Sequence, residues 1–312
     1  MPLPLVFLMG PTAVGKTALA VELVERLPVD IISVDSAMVY RGMDIGTGKP
    51  QPKLLAKAAH RLVDICEPHQ IYSAAQFARD ARREIDVIRG RGRIPLLVGG
   101  TGLYFRALGR GFSALPPADH GLRSRLAAEA QALGWPALHA RLARIDAPAS
   151  ARIHPHDGQR IQRALEVYEV TGRTLTQQLA EQREPGWRGP IVKIILDPVN
   201  RGLLHDHIAE RFRAMLAVGL VEEVSWLREQ QLDRELPAMR AVGYRQVYDY
   251  LASAIDYRTM VRDAIAATRQ LAKRQLTWLR RESGEQRFDA YDRQVVERVI
   301  DYVSKALRTT RR

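Results

Sequence analysis

Short, largely apolar runs punctuate the first third of the chain: Leu5–Met9, then residues 31–34, 62–65 and 95–98. Each is too short for a stable helix and lacks strict alternation, which predicts strands buried on both faces. Between them lie helix-compatible stretches at residues 16–27 and 74–89, the second charged and amphipathic. Strand and helix in alternation predict an α/β fold around a parallel sheet. All strands of such a sheet point their carboxyl ends to one edge, where ligands of open α/β sheets bind.

From residue 112 to 188 the strand-like runs vanish. Helical stretches separated by Pro116-Pro117, Gly134-Trp135-Pro136 and Pro148 replace them, which predicts an inserted, all-helical domain. An apolar run at 191–196 returns the chain to the sheet, and helices are expected at 203–217, 241–252 and 259–281, with a frayed end from 308. The expected organisation is a sheet core over 1–111, a helical insert over 112–188, and the rest of the core with a helical carboxyl-terminal region over 189–312.

Composition adds constraints. The 312 residues are 46% hydrophobic and 26% charged, an ordinary globular balance. No apolar run approaches the roughly twenty residues that span a bilayer, the opening residues carry no basic segment typical of a leader, and Cys66 is the only cysteine. A cytoplasmic protein without membrane contact or disulfide is expected. The formal charge of +12 favours a polyanionic partner. The excess is spread along the chain, but residues 264–281 hold Arg269, Lys273, Arg274, Arg280 and Arg281 and no acid. At helical spacing these cations gather on one side.

Gly10, Pro11, Thr12, Ala13, Val14, Gly15, Lys16 and Thr17 match the P-loop pattern between a predicted strand and a predicted helix. Its glycines turn backbone N–H groups inward, and Lys16 with the helix amino terminus supplies positive potential for a phosphate chain. Thr17 is placed to reach a Mg²⁺ ion held by those phosphates. The loop is a general nucleotide-binding signature, ATP-binding included, and does not itself say which phosphate ester binds. No strand ends in the Asp-Glu pair of an ATPase metal site, and no Asn-Lys-x-Asp guanine-reading motif occurs. Instead Asp35 and Thr101 terminate two predicted strands and should overlook the loop. His154 and His156 flank a proline with no third ligand, so they are not expected to hold a metal.

The chain resembles the bacterial tRNA dimethylallyltransferases, also called tRNA isopentenyltransferases, over essentially its whole length. The P-loop carries the resemblance together with four further segments: Asp35-Ser-Ala-Met-Val-Tyr-Arg-Gly-Met-Asp-Ile-Gly-Thr-Gly-Lys-Pro50, Gly99-Gly-Thr-Gly-Leu-Tyr104, residues 154–171 and Arg240-Ala-Val-Gly-Tyr-Arg245. It implies a P-loop NTPase-like core whose loop holds the diphosphate of dimethylallyl diphosphate, with Mg²⁺ as cofactor. It implies Asp35 as acceptor of a proton from the exocyclic amine of the target adenine, Thr101 beside it, and Arg211 gripping the diphosphate. For tRNA it implies contacts at Asp35, Ser36, Ala37, Met38, Thr101 and Arg123. The insert adds Gln159, Arg160, Ile161, Gln162 and Arg163, and the core adds Arg240, Ala241, Val242, Gly243, Tyr244 and Arg245. The basic stretch adds Lys273, Arg274, Gln275, Leu276, Thr277, Trp278, Leu279 and Arg280. Arg160 and Arg163 lie one helical turn apart and are expected to face the same RNA strand.

The implied activity is transfer of a dimethylallyl group to N6 of the adenine 3′-adjacent to the anticodon. Its partners are the anticodon stem-loop of tRNA and the allylic diphosphate, and a monomer is expected. Two other readings remain open on sequence alone, a P-loop small-metabolite kinase and a non-catalytic RNA-binding module.

Overall fold

A computed structural model describes residues 3–113, 115–181, 183–232 and 234–311. It divides into two compact units, Gly109–Trp187 and the remainder.

The larger unit is built on a six-stranded parallel sheet of β1 (Leu5–Met9), β2 (Val29–Val34), β3 (His60–Arg61), β4 (Ile94–Gly99), β7 (Ile191–Asp197) and β8 (Glu285–Asp289), in the order β3-β2-β4-β1-β7-β8. All residues of β1 and β4 are buried, the reason these strands appear as unbroken apolar runs. The chain fills the sheet on one side of β1 before crossing to β7 on the other. The carboxyl end of β1 therefore lies at the topological reversal, where open α/β sheets place their ligands.

The strands differ from the sequence expectation in two places. Residues 62–65 are not a strand: Leu62 and Asp64 have φ of 61° and 56°, left-handed values that break an extended run, and pairing is confined to His60–Arg61. β8 has the sequence Glu-Gln-Arg-Phe-Asp with only Phe288 buried, so an edge strand with polar flanks left no apolar run to detect.

Helices cover the sheet. Lys16–Arg26 buries Leu19, Ala20, Val21 and Leu23. Ala74–Gly90 opens with a reciprocal capping box between Ser73 and Gln76 and buries Phe77, Ala78, Ala81, Ile85 and Ile88 at three- and four-residue spacing. Among the described residues, the helices Arg201–Ala217, Leu220–Glu229, Tyr244–Leu251, Tyr257–Leu279 and Val295–Arg311 follow β7. The last runs as helix through Arg311 rather than fraying from 308. No helix among the described residues is long and apolar enough to cross a membrane.

The smaller unit is mainly helical. Helices His120–Leu133, Trp135–Ile145, Ala147–Ser150, Gly158–Thr171 and Leu175–Glu181 enclose a core that includes Leu126, Leu138, Leu142, Ile161 and Leu165. Asp119, Asp146 and Asp157 cap three of them by accepting backbone N–H groups. A short antiparallel pair, β5 (Gly111–Ser113) with β6 (Arg183–Pro185), closes the unit at its two chain ends. Three-residue strands of mixed polarity carry no periodic signal, so they went unpredicted.

Candidate active site

The loop after β1 turns back on itself through two left-handed residues, Ala13 at φ 65° and Gly15 at φ 81°. That geometry points successive N–H groups into one concavity. The helix that follows has no side-chain cap and no acid in its first turn, so its amino-terminal amides remain available to an anion. Gly10, Pro11, Thr12, Ala13, Val14, Gly15, Lys16 and Thr17 thus form one cradle, and Lys16 Nζ donates to the Pro11 carbonyl at 2.6 Å. Burial pushes the Lys16 ammonium down to about 7; Asp35 opposes that shift and Arg211 adds to it. Burial thus disfavours the charged form of Lys16, which a bound anion would favour.

Arg211, on Arg201–Ala217, faces the same space. Its guanidinium is lowered by burial, with Asp35 opposing, and no hydrogen bond or ion pair satisfies it among the described residues. Room for it exists because Gly48 (φ 67°) has no side chain: a Cβ there would collide with the guanidinium.

Asp35 follows β2. Its Oδ1 accepts the N–H groups of Ala37 at 2.8 Å and Met38 at 3.2 Å, fixing an Asx-type turn. Oδ2 accepts no hydrogen bond among the described residues. Thr101, just past β4, accepts the Ser36 N–H on Oγ1 at 3.2 Å, so its hydroxyl proton is free to donate next to Asp35.

Two cavities meet at these residues. One, of about 400 Å³, is lined by the cradle from Thr12 to Ala18, Asp35, Thr47 and Arg211. The other, of about 350 Å³, is lined by Asp35, Thr101, Tyr40, Tyr72, Phe212, Met215, Leu271 and the segment Arg240–Tyr244 among others. Thr12, Ala13, Asp35, Thr47, Arg211 and Gln275 border both. Each has the volume of a small-ligand site. An anion held in the first would lie beside an apolar-walled chamber in the second, with the Asp35 carboxylate at the boundary.

The family sequence model described as IPP transferase matches residues 38–282, and that described as isopentenyl transferase matches residues 3–68. The chain belongs to the IPP transferase family. Among similar relatives, the tRNA dimethylallyltransferase of Alkalilimnicola ehrlichii is 61% identical over 90% of this chain and 89% of its own. That of Halorhodospira halophila is 55% identical over 97% and 98%. The crystal structure of a full-length tRNA isopentenylpyrophosphate transferase from Bacillus halodurans superimposes with a TM-score of 0.69 at 34% identity, covering 98% of this chain and 97% of the other.

Several residues named from the family likeness have structural duties of their own. Ile161, Leu276 and Leu279 are buried because they occupy the inward positions of their helices, where RNA does not reach. Tyr244 is also buried, yet it lines the second cavity itself. Arg123 and Arg163 turn to Glu166, whose fully buried carboxylate accepts Arg123 Nε and Nη2 at 2.8 and 3.1 Å, Arg163 Nη1 at 2.7 Å and the Asp119 N–H at 2.8 Å. A buried carboxylate needs such partners, so Arg163 faces inward rather than beside Arg160. Gln159 and Arg160 are exposed, as are Ser36, Arg240, Arg245, Lys273, Arg274, Thr277 and Arg280. Gln162 donates to the Arg123 carbonyl, and Trp278 packs over Gly102.

Two contributors went unseen in the sequence. Lys49 has a 5% exposed side chain and donates to the Tyr40 carbonyl, Asp44 and Asp64, pinning the segment after Asp35. Glu223 gathers backbone amides of the same segment. Lys49 falls within the segment 35–50 that carries the family likeness but has no role assigned from it, and Glu223 lies outside every motif.

Proposed function

We propose that the chain transfers the dimethylallyl group of dimethylallyl diphosphate to N6 of the adenine 3′-adjacent to the anticodon of tRNA, releasing diphosphate. The observation that carries this reading is the position of Asp35, which borders both the phosphate cradle and the neighbouring apolar-walled chamber.

In the reaction, the bond from allylic carbon to diphosphate oxygen breaks and its electron pair leaves with the diphosphate. The N6 lone pair forms the new carbon–nitrogen bond, and the N6 proton passes to Asp35 Oδ2, the oxygen left free by the turn. An aromatic amine is a weak nucleophile, so stabilising the departing charge matters most. Lys16, Arg211 and the loop amides do this. Their positions precede the charge they meet, so little reorganisation accompanies ionisation. Asp35 need not strip the amine beforehand; it takes the proton as positive charge grows on nitrogen, a role worth about 10²- to 10⁴-fold. Thr101 holds the turn and offers its hydroxyl beside the amine.

No cluster of three or more His, Cys, Asp or Glu placed to hold a metal occurs among the described residues. Thr17 lines the cradle, a donor set that fits a hard cation completed by diphosphate oxygens and water. Mg²⁺ bound there would neutralise part of the diphosphate charge.

For RNA, the target adenine is expected to leave its stack to enter the chamber, at low cost in a single-stranded loop. Exposed Lys273, Arg274 and Arg280 supply phosphate contacts, and the unit Gly109–Trp187 contributes Gln159 and Arg160. A monomer in the cytoplasm suits this substrate. Phosphoryl transfer to a small metabolite finds no support among the relatives.

Incubation with unmodified tRNA, dimethylallyl diphosphate and Mg²⁺ should yield a prenylated adenosine on nucleoside mass analysis. Folded protein that gives no such product overturns the proposal.

A further inference from the structure

The segment Asp44-Ile45-Gly46-Thr47-Gly48-Lys49 contains no regular element, yet it walls both cavities at Thr47. What holds it is a carboxylate 179 residues downstream of Asp44. Glu223, in the first turn of Leu220–Glu229, accepts the N–H groups of Asp44 and Ile45 on Oε2 at 2.8 and 2.7 Å. On Oε1 it accepts the Gly46 N–H at 3.1 Å and the Tyr244 hydroxyl at 2.5 Å. Burial pushes the Tyr244 hydroxyl up, and Glu223 adds to the shift, so it stays protonated as a donor. Four donors converge on one carboxylate, an arrangement that fixes the backbone of three consecutive residues.

The next turn passes that constraint on. Gly48 N donates to the Ile45 carbonyl at 2.9 Å, and the Thr47 hydroxyl donates to the Met43 carbonyl at 2.5 Å. Gly46 lies against the Tyr244 ring and Gly48 against the Arg211 guanidinium, each so close that a Cβ would collide. Arg211 has no hydrogen bond or ion pair among the described residues. The Gly48 backbone is thus a wall against which the guanidinium rests.

We propose that Glu223 is a positioning residue for diphosphate: through the 44–48 turn it holds Arg211 in the orientation that meets the anion. The inference rests on the reading of the cradle as a diphosphate site given above. A carboxylate acting only as a fold stabiliser would affect diphosphate no more than any equal loss of stability elsewhere. A positioning carboxylate loses its effect once Arg211 is gone.

The test measures binding of inorganic diphosphate with Mg²⁺ to the full chain by calorimetry, alongside thermal unfolding, for wild type, E223A, E223Q, R211A, E223A/R211A and L227A. Leu227 is buried in the same helix and touches neither cavity, so L227A controls for stability. E223A should weaken diphosphate about tenfold, E223Q less because one oxygen remains, and E223A in the R211A background less than about twofold. L227A should lower the unfolding temperature with unchanged affinity. Should E223A fail to fold, E223Q and Y244F carry the comparison, since E223Q keeps one of the two acceptor oxygens and Y244F removes one of the four donors. Wild-type affinity in the Glu223 variants, an additive loss in the double variant, or an equal loss in L227A overturns the inference. Absence of diphosphate binding to wild type would instead overturn the reading of the cradle itself, and the inference with it.

Discussion

Gln275 Oε1 accepts the backbone N–H of Thr12 at 2.8 Å, across 263 residues of sequence. Its Nε2 donates to the Gly100 carbonyl at 3.2 Å. One amide on Tyr257–Leu279 therefore ties the phosphate cradle to the end of β4, one residue before Thr101. The same helix exposes Lys273 and Arg274, and Arg280 at its carboxyl-terminal cap. The cradle and the exposed cations of this helix thus share one rigid element.

Replacing Gln275 by Ala leaves the Thr12 amide without its acceptor and frees the loop. About 1–2 kcal/mol of local stabilisation is lost. The expected result is a KM for dimethylallyl diphosphate raised about tenfold with a smaller change in kcat, read from steady-state kinetics. An unchanged KM contradicts the bracing role.

Lys16 gives a pH dependence of definite sign. Its ammonium lies at about 7 in the free protein, and a bound diphosphate raises it by direct attraction. At pH values between the free and bound positions, binding takes up a proton. Affinity should be greatest below about 7 on the Lys16 side of the profile and fall as pH rises above it, by up to about tenfold per unit. Calorimetry in two buffers of different ionisation enthalpy measures the uptake; K16M should abolish it. Proton release on binding would reverse the assigned sign.

Lys273 and Arg274 are exposed and have no ion-pair partner among the described residues. Reversing both charges should weaken tRNA binding and lower the slope of log K against log salt by about 1–2. A slope equal to that of wild type marks them as solvated surface instead.

How far the sequence revealed the molecule depended on the kind of signal. β1 and β4 were visible because burial on both faces leaves no polar residue to interrupt them. β8 was not, since a single buried phenylalanine in an edge strand has no period. The run at 62–65 misled because composition says nothing about the positive φ of Leu62 and Asp64. At the site, the P-loop was legible from spacing, and Asp35 and Thr101 from strand ends. The direction of Arg163 was not, because helical spacing tells which residues are neighbours but not that a buried Glu166 lies among them. Gln275 entered only as one position of a basic stretch; its bond to Thr12 joins segments whose proximity only the fold creates.

In the proposed reaction the free oxygen of Asp35 takes the proton of the attacking amine. Asp35→Asn tests it most directly, because the amide oxygen can still accept the Ala37 and Met38 N–H groups and so keep the turn. Single-turnover prenylation of prebound tRNA, with tRNA affinity measured in parallel, should show a rate lowered by about 10²-fold or more and an affinity within about threefold of wild type. A normal single-turnover rate in Asp35→Asn would contradict the claim.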